Sequence, residues 1–159
     1  MSSITGRPRA FETILLGGLI AGVLDGLDAA IYYDWVSGVA PDRLFRGVAS
    51  GLLGPPALSG GTYTALLGVG LHFTIAIGAA AVFYAACFAI PALLRKPWIT
   101  GPAYGLVVYS VRHYIVVPLS LVRHRTVPMA GWELADQLFS HMFFVGLPIA
   151  LMARRSART

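Results

Sequence analysis

Four long apolar runs alternate with short polar or Pro/Gly-rich stretches along the chain, over residues 12–33, 63–90, 99–122 and 134–153. As helices rising ~1.5 Å per residue, each is long enough to cross about 30 Å of hydrocarbon. Between the first two, Leu44, Val48, Leu52 and Leu53 recur at helical spacing, with Arg43 and Arg46 at the polar end. That pattern predicts a short amphipathic helix lying on the outer surface within residues 41–58. Pro55-Pro56 should stop it, and Ser59-Gly60-Gly61 should follow as a flexible link. The predicted fold class is all-α: a polytopic membrane protein whose four transmembrane helices form a bundle, with a short interfacial helix between helices 1 and 2. One integral-membrane domain is expected over residues 1–159.

The runs are not uniformly apolar around their axes. Gly18, Gly22 and Gly26 follow the small-xxx-small spacing that lets helix backbones approach closely. Asp25, Ala29 and Tyr32 lie on or beside that stripe. The second run aligns Ala65, Gly68, His72, Ala76 and Ala79, and the third aligns Gly101, Gly105, Tyr109, Arg112 and Val116. The fourth aligns Glu133, Gln137, His141 and Phe144, with Pro148 a turn further on. Leu, Ile, Val and Phe dominate the other faces and are expected to meet lipid.

Composition agrees with this class: of 159 residues, 57% are hydrophobic and 12% charged, against about 25% charged in a soluble domain. The placement of charge predicts orientation. Arg7, Arg9, Arg95, Lys96, Arg154, Arg155 and Arg158 flank the runs on one side, and Arg43, Arg46, Arg123 and Arg125 on the other. The positive-inside rule then places both termini in the cytoplasm. The net charge of +5 reads as a topology signal and a contact with anionic lipid. Without a basic stripe interleaved with aromatics, nucleic acid is not an expected partner. Arg7 and Arg9 before an apolar run resemble a signal peptide, but Asp25 and Asp28 follow with no small-x-small cleavage site, so a retained helix is expected. Trp35, Trp98 and Trp132 fall at span ends as interfacial anchors, and the lone Cys87 reads as a small buried hydrophobe.

Against this background four ionisable residues stand out. Asp25, His72, Arg112 and His141 lie one in each span, all roughly eight residues, or about 12 Å, below the outer surface. Intramembrane charges cost on the order of 3 kcal/mol or more each and normally face partners inside the protein. Asp25 and Arg112 are expected to form a buried ion pair, or alternatively to place a carboxylate in a proton path. His72, His113 and His141 have several readings. They are core histidines bonded to backbone carbonyls or to Asp28 and Asp136, ligands of a transition metal held by His72, His141 and Asp25, axial ligands of a b-type haem, or proton carriers. The haem reading joins His72 to His141, with Gly68 and Gly70 admitting the porphyrin. Glu133 and Asp136, near the start of the last span, also suit solvated helix-start acids.

The segments Leu71-His72-Phe73, Pro97-Trp98-Ile99-Thr100-Gly101, His113 with Pro118, and Gln137-Leu138-Phe139-Ser140-His141 resemble the YagU-type family of bacterial inner-membrane proteins. That pattern has a histidine early in a middle span, Trp-x-x-Gly leading into the next, then a histidine and a proline, and an acidic residue four before a final histidine. Gln137 stands where the acidic residue belongs, and the adjacent Asp136 is the substitute. The resemblance covers the last two thirds of the chain and implies a role in surviving acid stress.

No phosphate-binding loop, cysteine metal motif or nucleophile elbow is present, Ser50 lacking the Gly-x-Ser-x-Gly frame, so an enzyme is not indicated. The expected function is a small inner-membrane protein that handles or senses protons, a metal or a small ligand from the periplasm. The alternatives are an accessory subunit of a larger membrane complex, docking through its small-residue faces, or a haem-bearing electron carrier. Beyond the bilayer, the expected partner is such a complex or a second copy of the chain.

Overall fold

The computed structural model describes residues 7–122 and 131–158, and every regular element among them is helical. The first helix, α1, spans Arg7–Ser37. Gly38, at a φ of +62°, then reverses the chain, and its N–H donates back to the Asp34 carbonyl at 2.9 Å. Next come α2 (Pro41–Leu53), a 3₁₀ turn (Pro55–Ser59) and α3 (Thr62–Ala89). A second 3₁₀ turn (Pro91–Leu94) leads into α4, which starts as Pro97–Val111 and continues through a π turn (Arg112–Val116) to Val117–Leu119. The final helix, α5, runs as Gly131–Ser140, a π turn (His141–Gly146) and Leu147–Arg158.

Among the described residues three helices are long and apolar enough to cross a membrane: Ala10–Ser37, Thr62–Ala89 and Gly131–Ala157. The predicted span over 99–122 does form a helix, α4, but is not among these three. Arg112, His113, Pro102, Pro118 and three tyrosines dilute its apolar character.

Both π turns stop just short of a proline, Pro118 in α4 and Pro148 in α5. Proline has no N–H to donate and its ring clashes with the carbonyl four residues back. Widening the preceding turn relieves that clash without ending the helix. Arg112, His113 and His141 therefore all stand on irregular turns.

The helices pack as a curved row, with α3 beside α1, α1 beside α5 and α5 beside α4. At the end carrying the α3–α4 turn, the row closes around an apolar core of Ala21, Ala80, Phe83, Cys87, Val145, Ile149, Ala150 and Ala153. There Phe83 meets the Tyr104 ring at 4.8 Å, and the Tyr104 hydroxyl donates to the Ala79 carbonyl at 2.7 Å.

Glycines line two close seams. Gly18, Gly22 and Gly26 of α1 face Ile77, Phe73 and His72 of α3. Across the α4–α5 seam, Gly105 abuts the His141 carbonyl, and Gly146 abuts the Gly101 carbonyl. A Cβ at Gly18, Gly22, Gly105 or Gly146 would overlap its neighbour and one at Gly26 would press on the His72 ring, so these helices approach closely because the side chains are absent.

The helix expected within 41–58 runs from Pro41 to Leu53 and stops ahead of Pro55-Pro56. It packs against the side of α3, where Gly68 abuts the Phe45 carbonyl. That contact lies six residues, or about 9 Å, along α3 from its first turn. Ala49 and Ser50 are buried, and the Leu121 N–H donates to the Gly51 carbonyl at 3.0 Å. A wedge thus fills the gap where α3 and α4 diverge.

Candidate functional site

The polar residues gather toward the α2 end, on the seam between α1 and α5. Asp25, Asp28 and Tyr32/Tyr33 recur every three to four residues along one face of α1, as do Glu133, Asp136/Gln137 and Ser140/His141 along α5. The two helices run antiparallel, so the faces pair in reverse order. Near the end of α1, the Tyr33 hydroxyl donates to Glu133 Oε1 at 3.0 Å. Gln137 Nε2 donates to that same hydroxyl at 2.9 Å, and Gln137 Oε1 accepts from Arg112 Nη1 at 2.9 Å. Deeper in, the Ser140 hydroxyl donates to Asp25 Oδ1 at 2.9 Å. His141 Nδ1 donates to the Gln137 carbonyl at 2.9 Å and stands 3.8 Å from Asp25 Oδ1. Asp28 faces Asp25 and Ser140, and Asp136 interacts with Asp25, Asp28 and Glu133. Four carboxylates, one imidazole and one guanidinium thereby share a single neighbourhood.

The expected ion pair between Asp25 and Arg112 does not form. Arg112 belongs to α4, and α5 lies between α4 and α1. The guanidinium stops at Gln137 on α5, while Asp25 is held by Ser140 and His141 from the other side of the same helix.

His72 is also apart from the cluster. Its Nε2 donates to the Gly22 carbonyl at 2.8 Å in the α1–α3 seam, and its ring contacts Phe45 and Phe73 edge-on. The metal reading required His72, His141 and Asp25 together, and only the last two are neighbours. Among the described residues no group of three His, Cys, Asp or Glu side chains is arranged to hold a metal ion. The haem reading meets a second obstacle, because the space beside Gly68 is filled by the backbone of α2. Of the readings for His72 and His141, hydrogen bonding to backbone carbonyls is the one whose contacts are present. His113 stacks on Tyr109 with ring planes 15° apart, and Tyr109 also meets His141 edge-on. Arg123 and Arg125, counted in the orientation argument, lie outside the described residues.

Three participants were missed in the sequence. Tyr33 stands one position beyond Tyr32, Ser140 one before His141, and Gly146 completes the Gly101/Gly105 contact from the opposite helix. The first two adjoin residues already on the polar face, and helical phase alone does not resolve a one-residue difference.

Beside this cluster a cavity of about 290 Å³ opens between the last turns of α1 and the first turn of α5. Tyr32, Tyr33, Val36, Ser37, Val39, Trp132 and Glu133 line it. Glu133 is buried, and its carboxylate links the cavity to the Tyr33–Gln137–Arg112 chain. No family model matches the chain, and no curated protein or solved structure is significantly similar to it.

Proposed function

We propose that this chain is a four-span protein of a bacterial inner membrane, with both termini cytoplasmic, that takes up or senses protons from the periplasm. The supporting observation is the gathering of Asp25, Asp28, Glu133 and Asp136 with His141 on one helix seam, joined by hydrogen bonds to Tyr33, Gln137 and Arg112. The interior toward the opposite end is packed with apolar side chains, and the cavity beside the site opens at the α2 end. The excess of basic residues at the other end supports α2 as the periplasmic side. The YagU-type resemblance, with its role in acid survival, accords with this reading and is part of the proposal.

Infrared difference spectra of the protein in lipid, stepped from neutral to acidic buffer, test it. Wild type should show the carbonyl stretch of newly protonated carboxyl groups. Asp25→Asn and Asp136→Asn should each remove part of that band, whereas Asp42→Asn on the exposed face of α2 should not touch the cluster's contribution. Indistinguishable cluster bands in wild type and both cluster variants would sink the proposal.

A second reading rests on Arg112, whose side chain is exposed on the isolated chain although it sits within α4. A charge on the bundle exterior at this depth favours association with another subunit or a second copy that covers it. Native mass spectrometry in mild detergent tests this directly: a monomer alone would count against it.

A further inference from the structure

The cavity at the α2 end has a chemistry of its own. Three of its seven lining residues are aromatic, Tyr32, Tyr33 and Trp132, and the Tyr32 and Tyr33 rings stand perpendicular with centroids 5.3 Å apart. Aromatic faces carry negative charge density and attract cations, most strongly organic ammonium groups that shed water easily. Glu133 adds a buried carboxylate to the wall from the first turn of α5.

The opposite wall also favours positive charge. Val36 and Ser37 belong to the last turn of α1, the negative end of a 31-residue helix dipole, and no basic residue occupies that turn. Asp136, one turn further along α5, adds a second carboxyl group on the same helix face. Arg112 is bonded to Gln137 and is not among the described lining residues. At about 290 Å³ the cavity lies at the small end of the usual ligand-pocket range of about 300–1,000 Å³. It suits one compact head group rather than an extended molecule.

We propose that Tyr32, Tyr33, Trp132 and Glu133 form a binding site for an alkylammonium group, either a free organic cation or the head group of a lipid. The site does not depend on proton uptake by the deeper carboxylates. Its position at the helix ends makes it reachable both from water and from the head-group layer.

The test uses the full chain in nanodiscs of phosphatidylglycerol, with choline as the probe and its neutral isostere 3,3-dimethylbutan-1-ol as the control. Saturation-transfer NMR on the choline methyl groups, corrected against empty discs, should give a saturable signal. The isostere should bind at least about tenfold more weakly, because it fills the same volume without the charge. Glu133→Gln should weaken choline by a similar factor. Trp132→Ala, a change at an exposed side chain outside the apolar core, should do the same without unfolding the protein. Repeating the titration in phosphatidylcholine discs separates the sources. Loss of the free-choline signal there identifies the lipid head group as occupant, and an unchanged signal identifies the free cation. Equal binding of choline and its isostere, wild-type affinity in both variants, or no saturable signal in phosphatidylglycerol discs would overturn the proposal.

Discussion

At the scale of single residues, absent side chains matter as much as present ones. A methyl group on Gly105 would run into the His141 carbonyl, a backbone atom that cannot swing aside, whereas Gly78 faces open space. Gly105→Ala should therefore lower stability in detergent by about 1–3 kcal/mol through overpacking. Gly78→Ala should be neutral or stabilising by up to about 1 kcal/mol, because alanine is the better helix former. Thermal unfolding of the two variants side by side decides the point, and equal losses would disprove the close seam. The polar contacts allow a similar comparison. Arg112→Leu and Gln137→Leu should be energetically coupled, since each removes the same hydrogen bond. Arg112→Leu and Asp25→Asn should instead add within about 0.5 kcal/mol, because these side chains have different partners. A coupling of Arg112 to Asp25 as strong as that to Gln137 would restore the ion pair. The sequence identified these residues as a polar set at a common depth. Which of them touch depends on α5 standing between α1 and α4, and no residue spacing encodes that order.

At the scale of elements, the boundaries were largely legible. The run predicted over 63–90 forms as Thr62–Ala89, and the short helix predicted within 41–58 begins at Pro41. Apolar periodicity and the Pro/Gly punctuation account for that success, since both act through local sterics and backbone hydrogen bonding. The π turns were not anticipated, although Pro118 and Pro148 mark where a regular helix must adjust. The contact of α2 with α3 was not anticipated either. Its amphipathic pattern marks a face to be buried without naming the partner, and the Gly68–Phe45 contact supplies one. A cross-link can verify this placement. A Cβ on Gly51 would stand 3.7 Å from the Ser120 Cβ, inside the span a disulfide requires. The double variant Gly51→Cys/Ser120→Cys should thus form an intramolecular disulfide under mild oxidation, seen as a gel-mobility shift reversed by reductant. The native Cys87 is buried in the apolar core and should not compete. Failure to cross-link in the folded protein would remove α2 from the end of α4.

At the scale of the molecule, the chain is polarised, with an apolar core at one end and carboxylates, an imidazole and an aromatic cavity toward the other. The proposed orientation exposes the second end to the periplasm. Ser59 and Lys96 are both exposed and lie at opposite ends. A membrane-impermeant maleimide should therefore label Ser59→Cys in intact cells and spare Lys96→Cys until the membrane is breached. The reverse pattern would turn the polar site to the cytoplasm and end the proposal of a periplasmic proton site. The sequence alone determined the helical class, the positions of the three membrane-length helices and the small-residue faces. Each of these follows from local periodicity. Only the tertiary structure decided that Asp25 meets Ser140 and His141 rather than Arg112, that His72 serves the α1–α3 seam, and that Tyr32, Tyr33, Trp132 and Glu133 enclose one cavity. Those pairings depend on which helices become neighbours, and that order is set by backbone contacts at glycines far apart in the chain.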